Sequence, residues 1–324
     1  MLLLLTFFLG ALLCLSGCQQ QAKKPPQAPK KPAARSEVKL SQEVAKYKSE
    51  PTISLYKTAT GEVEELKMED YLKGVVAAEI GPKYPMEALK AQAIIARTMT
   101  LALIEYENGT RGKHNTEASD DHTEFQAYDK KAVTDKISQA VDETRGQVLL
   151  QNGKFIYALF HSASKDKTAS IEEGFPKLKD KAPYIQPVQT NGLKYAPRKY
   201  HRWKVKIPTK EVMAAMGIKG NTLYDIGIVD KGPSGRALTI GANNGAVRIS
   251  AVDLREKLGF DRLYSTALSN ISIKGNKVVF EGAGWGHGCG MEQWGAYGMA
   301  KEGKNAREIV EHYFPKARWV QLYK

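Results

Sequence analysis

Residues 71–101 read YLKGVVAAEIGPKYPMEALKAQAIIARTMTL. Asp70 precedes this stretch as a helix N-cap type, so a first helix is expected over residues 71–80. Gly81 and Pro82 break it. A second helix is expected from about residue 85 to 107, with Pro85 in its first turn and Leu89, Ala93, Ala96 and Thr100 on one face. Glu79 ends the first helix, after Val75, Val76, Ala77 and Ala78. A carboxylate in such a setting loses solvation, which disfavours its charged form. An acid kept protonated near neutrality can protonate a leaving group. The plainer alternative is a helix-end carboxylate facing water or paired with Arg97. Glu87 is the rival acid, but the dipole of its helix start favours its ionised form.

Outward from this pair, strands come in hairpins and helices in separate runs. Residues 52–57 and 63–68 alternate as strands about a turn at Thr60-Gly61. Order is expected to begin near Pro51. A helix is expected over 131–144. Residues 147–150 and 155–161 form a hairpin about Asn152-Gly153. A strand at 203–208 precedes a helix at 209–216 with Thr209 as its cap. Short strands follow at 223–229, 237–240 and 246–249, then a helix to residue 258 capped by Ser250. A hairpin turns at Gly275-Asn276, and helices close the chain at 291–302 and 305–313. This pattern predicts an α+β fold of antiparallel hairpins with segregated helices, not a parallel βαβ sheet.

A second informative stretch, residues 282–298, reads GAGWGHGCGMEQWGAYG and holds seven Gly in seventeen residues. Such a backbone can approach a ligand closely or adopt positive φ. His287 stands between two glycines. Trp285, Trp294 and Tyr297 offer flat faces on which sugar rings stack, and Gln293 can both donate and accept hydrogen bonds. No GxxxxGK[ST] ending supports a phosphate loop. Cys289 reads as packing, since no base is positioned to activate it.

The 324 residues carry a net charge of +13, with 42% hydrophobic and 26% charged residues, so most of the chain can bury a core. The charge points to a polyanionic partner. Residues 1–17, MLLLLTFFLGALLCLSG, are apolar but shorter than the ~20 residues of a comfortable membrane span. They lead into Cys18, in the manner of a lipoprotein signal whose cleavage leaves an acylated cysteine. No Lys or Arg precedes the run, which leaves an upstream start or an uncleaved anchor as alternatives. Export removes nucleic acid from the possible partners. Residues 19–50, with eight Lys/Arg against three Glu and several prolines, read as a basic tether. Residues 51–324 are then the working domain, on the extracytoplasmic face of the membrane. Only Cys289 remains beside Cys14 and Cys18, so the mature domain has no disulfide framework.

Three motifs carry a resemblance. YLxGVVxxE…P…EALKAQAxxARTxxL matches from Tyr71 to Leu101. GxGHGxGMxQxGAxxMAxxGxxxxxIxxxYxP matches from Gly284 to Pro315. Residues 160–168, FHSASKDKT, match a [FY]HSxSGGxT piece. Together they resemble the stage II sporulation protein D / amidase-enhancer family. The resemblance implies a lytic transglycosylase that cleaves the MurNAc–GlcNAc bond of peptidoglycan strands stripped of stem peptides, without cofactor. It implies septal wall remodelling and engulfment during sporulation, with a cell-wall amidase and a membrane protein as partners. Some members instead stimulate an amidase without cleaving glycan. The family's catalytic Glu falls on Glu79. Substrate-binding roles fall to His287, Gln293, Ser162 and Ser164, with Trp285, Trp294, Tyr297 and Arg97 beside them. Lys165-Asp166 replaces the Gly-Gly of the serine motif, which puts the shape of that part of the cleft in doubt. Some members hold a metal in the loop after the first motif. Here that loop carries His114, Glu117, Asp120, Asp121, His122 and Glu124 but no Cys, and a solvated polar loop is expected instead.

Overall fold

The computed structural model describes residues 39–220 and 222–324. The expected signal segment, Cys18 and the tether up to residue 38 lie outside the described residues. No helix among those described is long and apolar enough to cross a membrane.

The second expected helix, Met86–Glu107, is the centre of the larger hydrophobic core. Its sequence is apolar on more than one face, and Leu89, Ala93, Ile94, Ile95, Ala96 and Leu101 are all buried. Fully burying side chains of the size of Leu or Ile contributes about 1.5–3 kcal/mol each. Thr98 and Thr100 stay inside because their hydroxyls donate to the carbonyls of Ile94 (2.7 Å) and Ala96 (2.8 Å). The helix stops where Asn108 adopts a left-handed conformation with φ 62°.

The first helix is Met68–Glu79, and it begins before the expected cap. Asp70 pairs with Lys73 at 3.2 Å instead. Capping comes from a distant residue: Glu50 Oε1 accepts the Glu69 N–H at 2.9 Å. The packed chain therefore reaches further back than Pro51. A short helix, Gln42–Ala45, buries Val44 against the main core, and the Ser41 N–H donates to the Gly153 carbonyl at 3.0 Å.

Small sheets surround the helices. Thr52–Tyr56 pairs antiparallel with Val63–Lys67 and parallel with Ala118–Ser119. Gln147–Gln151 lies between Arg318–Gln321 and Lys154–Phe155. A second core, residues 203–280, is built on Trp203–Pro208, Leu268–Lys274 and Lys277–Gly282, and on Ile226–Lys231, Ala237–Ala242 and Val247–Ser250. The class is mixed α+β, with mostly antiparallel sheets.

Other expected elements differ as well. The 131–144 helix is a 3-10 turn, Lys130–Ala132, capped by Asp129, then Asp135–Asp142, capped by Thr134. The 155–161 strand splits, because Lys154–Phe155 turns back on its hairpin while Phe160–His161 leaves to pair with Met291–Glu292. That pairing delays the next helix to Gln293–Lys301. Thr209 gives no cap bond; Pro208 holds the N-cap position of Thr209–Met216.

Candidate functional site

Glu79 is the last residue of its helix, and Gly81, with φ 71°, turns the chain away behind it. The loop before residue 130 closes on the same end. The Asp129 N–H donates to the Gly74 carbonyl at 3.0 Å, and the Tyr128 ring lies where any Cβ on Gly74 would be. This close approach explains a mid-helix glycine, which otherwise costs about 1 kcal/mol against alanine. From this loop the Ala127 N–H donates to Glu79 Oε1 at 3.1 Å. The Gln293 side chain also acts on the Glu79 carboxyl and pulls it down. Burial raises the Glu79 carboxyl above the usual carboxylate range, against the opposing pull of the Ala127 N–H, His122 and Gln293.

Gln293 reaches Glu79 through the pairing of the serine and glycine motifs. Met291 lies opposite Phe160 and Glu292 opposite His161 in a short parallel ladder. Ala163 and Trp285 exchange both backbone hydrogen bonds, at 3.0 and 2.8 Å. The Trp294 N–H then donates to the Ser162 carbonyl at 3.2 Å. Ser162 is half-buried, and no group among the described residues takes its hydroxyl.

Aromatic rings continue from this junction. Tyr84, in the break after the Glu79 helix, lies 5.3 Å from both Trp294 and Tyr297 between ring centroids. Tyr297 lies 5.9 Å from Tyr195. Trp285 stacks on Tyr264 at 4.3 Å and meets Tyr200 at 5.2 Å. Burial pushes the Tyr84 hydroxyl up, and Tyr200, Glu292 and Tyr297 add to the effect.

Three expected ligand residues are used elsewhere. Arg97 is fully buried, and its guanidinium grips Glu69 through Nε (3.0 Å) and Nη2. Neither Glu79 nor Glu87 is its partner, and it cannot touch a sugar. Ser164 is also fully buried. His161 donates from Nδ1 to the Cys289 carbonyl at 3.1 Å, so its Nε2 accepts the Ser164 hydroxyl at 2.7 Å. Arg236 Nη2 donates to the same hydroxyl at 3.1 Å. His287 accepts the Cys289 N–H at Nδ1 (3.1 Å), and the Phe160 backbone pulls against the lowering that burial imposes on the ring. Burial first, then Arg255 and Arg236, push it down to about 3, so it is neutral and shapes the loop. Glu87 Oε2 accepts the Ala306 N–H at 2.8 Å at the start of the Ala306–Tyr313 helix, a structural task.

The polar loop is tied internally. Glu124 pairs with His114 at 2.7 Å and Lys113 at 2.9 Å, and Asp120 accepts from Thr58. His114 stacks on Tyr56 at 3.9 Å. Among the described residues no cluster of three His, Cys, Asp or Glu is placed to hold a metal. Cys289 donates to the Ser170 carbonyl at 3.1 Å, and burial pushes its thiol up to about 12.

Sequence reasoning missed Glu292, Tyr84 and Arg236. Glu292 occupies a variable position of its motif and is fully buried. Its carboxyl accepts the Ser164 N–H at 2.7 Å and the Thr190 hydroxyl. Its room comes from Gly192 and Gly295, where a Cβ would overlap the carboxyl group. Burial raises it from 4.5 to about 7. A raised acid stabilises the fold fully below its unfolded value and loses that contribution as pH rises through about 7. The difference corresponds to about 3 kcal/mol. Glu292→Gln, which resembles the protonated acid, is expected to remove this loss. Urea unfolding at pH 5 and pH 8.5 should show the variant gaining on the parent chain by that order at the higher pH. An equal pH dependence in both chains refutes the assignment.

Comparison with known proteins completes the picture. The chain is 32% identical over 275 residues to stage II sporulation protein D of Bacillus subtilis, covering 81% of this chain and 77% of that protein. The chain belongs to the stage II sporulation protein D family. A family model described as stage II sporulation protein matches residues 56–150, which include Glu79. A domain of unknown function, DUF8618, matches residues 130–290. Stage II sporulation protein D of Bacillus amyloliquefaciens is 30% identical, over 81% of this chain and 77% of that protein. The amidase enhancer of Bacillus subtilis is 26% identical over 75% of this chain but only 39% of its own length. Within this family member, Glu79, Gln293 and the aromatic rings meet in one place, whereas Arg97 and Ser164 serve the interior.

Proposed function

We propose that this protein is a lytic transglycosylase that cleaves the MurNAc–GlcNAc bond of peptidoglycan strands and leaves 1,6-anhydroMurNAc ends. One observation carries the reading: a half-buried, raised carboxyl, Glu79, feels the side chain of Gln293, whose neighbour Trp294 belongs to a set of aromatic rings. Glycoside hydrolysis ordinarily uses two carboxylates. An intramolecular nucleophile needs only one. Glu79 protonates the leaving glycosidic oxygen, then takes the proton of the C6 hydroxyl of the same muramic acid as that oxygen attacks C1. Holding both atoms on one sugar supplies a high effective concentration without a positioned water. Gln293 orients the Glu79 carboxyl, Ser162 offers a free hydroxyl, and Trp285, Trp294 and Tyr297 present faces to the sugars. No metal or cofactor enters these steps.

In this reading the enzyme works outside the cell membrane, held by an acylated Cys18 and the basic tether, on glycan stripped of its stem peptides. Its setting is septal wall remodelling and engulfment during sporulation, with a cell-wall amidase and a membrane protein as partners. The likeness to the amidase enhancer favours a second reading, a glycan-binding protein that recruits or activates an amidase without cleaving.

The test is digestion of purified peptide-free glycan, with the products read by mass spectrometry. Anhydro-muramic ends are the expected result. Intact glycan that nevertheless binds the protein overturns the first reading in favour of the second.

A further inference from the structure

The loop that closes on Glu79 is fixed residue by residue. Gln126 is buried, and its Nε2 donates to the Thr100 hydroxyl at 2.7 Å. Thr100 lies in the central helix, Met86–Glu107, and gives its own proton to the Ala96 carbonyl, which leaves its oxygen free to accept. Ala127 comes next, and its N–H reaches Glu79 Oε1 at 3.1 Å. Tyr128 then lays its ring nearly parallel to that of Tyr71, 5.9 Å away, over Gly74. The Asp129 N–H closes the run on the Gly74 carbonyl.

Gln126 and Tyr128 thus tie the loop to the central helix and to the Glu79 helix, on either side of the N–H that meets the carboxyl. A buried amide loses water, which costs free energy unless a partner replaces it. Thr100 is that partner. The buried Tyr71 hydroxyl is acted on by Thr100, Gln126 and Glu79 together, so anchor and acid share one neighbourhood. The Ala127 N–H belongs to the planar peptide unit that joins it to Gln126. Where Gln126 is held therefore sets where that N–H points.

We propose that Gln126 is a positioning residue for Glu79: held by Thr100, it fixes the peptide plane that aims an N–H at the carboxyl and so sets which oxygen presents the proton. The proposal rests on the transglycosylase reading above. An oxygen that accepts an N–H is the carbonyl oxygen of the protonated acid. Oε1 has that task, so the proton sits on Oε2 and faces the glycosidic oxygen.

The experiment reads Glu79 directly. The full chain carries isotopically labelled glutamate carboxyls, and NMR identifies the Glu79 signal by its absence in Glu79→Gln. The Ala127 N–H, His122 and Gln293 all pull Glu79 down, and Tyr71 on its own helix is kept neutral by burial. Losing the N–H therefore moves the Glu79 titration to higher pH. Gln126→Met is expected to move it by about one pH unit, the scale of a hydrogen bond to a charged group. His122 acts from the same loop, so the measurement is repeated in His122→Ala, where the full shift is expected to persist. On peptide-free glycan Gln126→Met is expected to lower kcat about tenfold with KM unchanged. Thr100→Val removes the same bond from its other end and is expected to do the same, with the double variant no worse than either single. Thr100→Ser keeps the hydroxyl and is expected to behave as the parent chain.

A Gln126→Met or Thr100→Val chain that folds and leaves the Glu79 titration in place overturns the proposal, as does a double variant whose losses simply add. Cleavage by the parent chain is read separately. Anhydro ends with an unmoved titration remove the positioning role and leave the transglycosylase standing. A titration that moves in a protein yielding no anhydro ends keeps Gln126 as the residue that sets the carboxyl and removes the transglycosylase.

Discussion

Glu79→Gln is expected to lower the rate of glycan cleavage by about 10³-fold, within the range that general acid–base catalysis supplies. The amide keeps the shape of the carboxyl, and its oxygen can still accept the Ala127 N–H that Glu79 accepts at 3.1 Å. What it loses is the proton. Glycan affinity should therefore change little, and the loss should appear in kcat rather than KM. The parent enzyme should show the matching pH profile. Burial holds the Glu79 carboxyl above the usual range, so the protonated acid persists to higher pH than an exposed glutamate. The rate falls as pH rises through that raised value. The same sign governs stability: the protonated form favours the fold, and ionisation at higher pH works against it. Counting anhydro-muramic ends by mass spectrometry across pH checks both effects. A Gln variant that cleaves at the parent rate removes Glu79 from the chemistry.

The central helices are legible in the sequence because their signals are local. Gly81-Pro82 can only break a helix, and the run from Leu89 to Leu101 is too apolar to lie on a surface. Ser250 caps its helix as its side-chain chemistry directs. The long GHGCG stretch announces itself by composition alone. What escapes is whatever depends on a partner far along the chain. Asp70 looks like a cap, yet Glu50 provides the bond from nineteen residues earlier. Residues 155–161 alternate like one strand, yet Phe160–His161 is claimed by Met291–Glu292. Polar residues in a motif look alike whether they face a ligand or the interior. Gln293 and Ser164 belong to neighbouring pieces of the same junction, but one acts on the Glu79 carboxyl and the other closes a network with His161 and Arg236. Glu292 carries no local mark of burial. Only the space left by Gly192 and Gly295 reveals that a carboxyl group fills it.

Arg97 gives the sharpest contrast between the two kinds of polar residue, and its replacement is expected to unfold rather than to inactivate. Its fork binds Glu69 twice, and Nη1 donates to the Gln147 carbonyl at 3.1 Å. Glu69 Oε1 also accepts the Gly146 N–H at 3.1 Å and the Tyr323 hydroxyl at 2.8 Å. The pair thus ties the first two helices to the start of the Gln147–Gln151 strand and to the C-terminal residues. Both ions are buried, so removing one leaves the other without compensation. Arg97→Ala or Glu69→Ala is expected to cost about 3–5 kcal/mol in urea unfolding. Glu69→Leu combined with Arg97→Met should recover much of that loss, because an apolar pair of similar volume leaves no buried charge. The cleavage rate per folded molecule should stay near that of the parent chain in the double variant. If Arg97→Ala instead kept its stability and lost glycan affinity, the residue would belong to the sugar site after all, and the buried pair would be incidental. The geometry argues the other way: each donor of the fork that the structure assigns is aimed at an acceptor inside the protein, and none is left to meet a substrate.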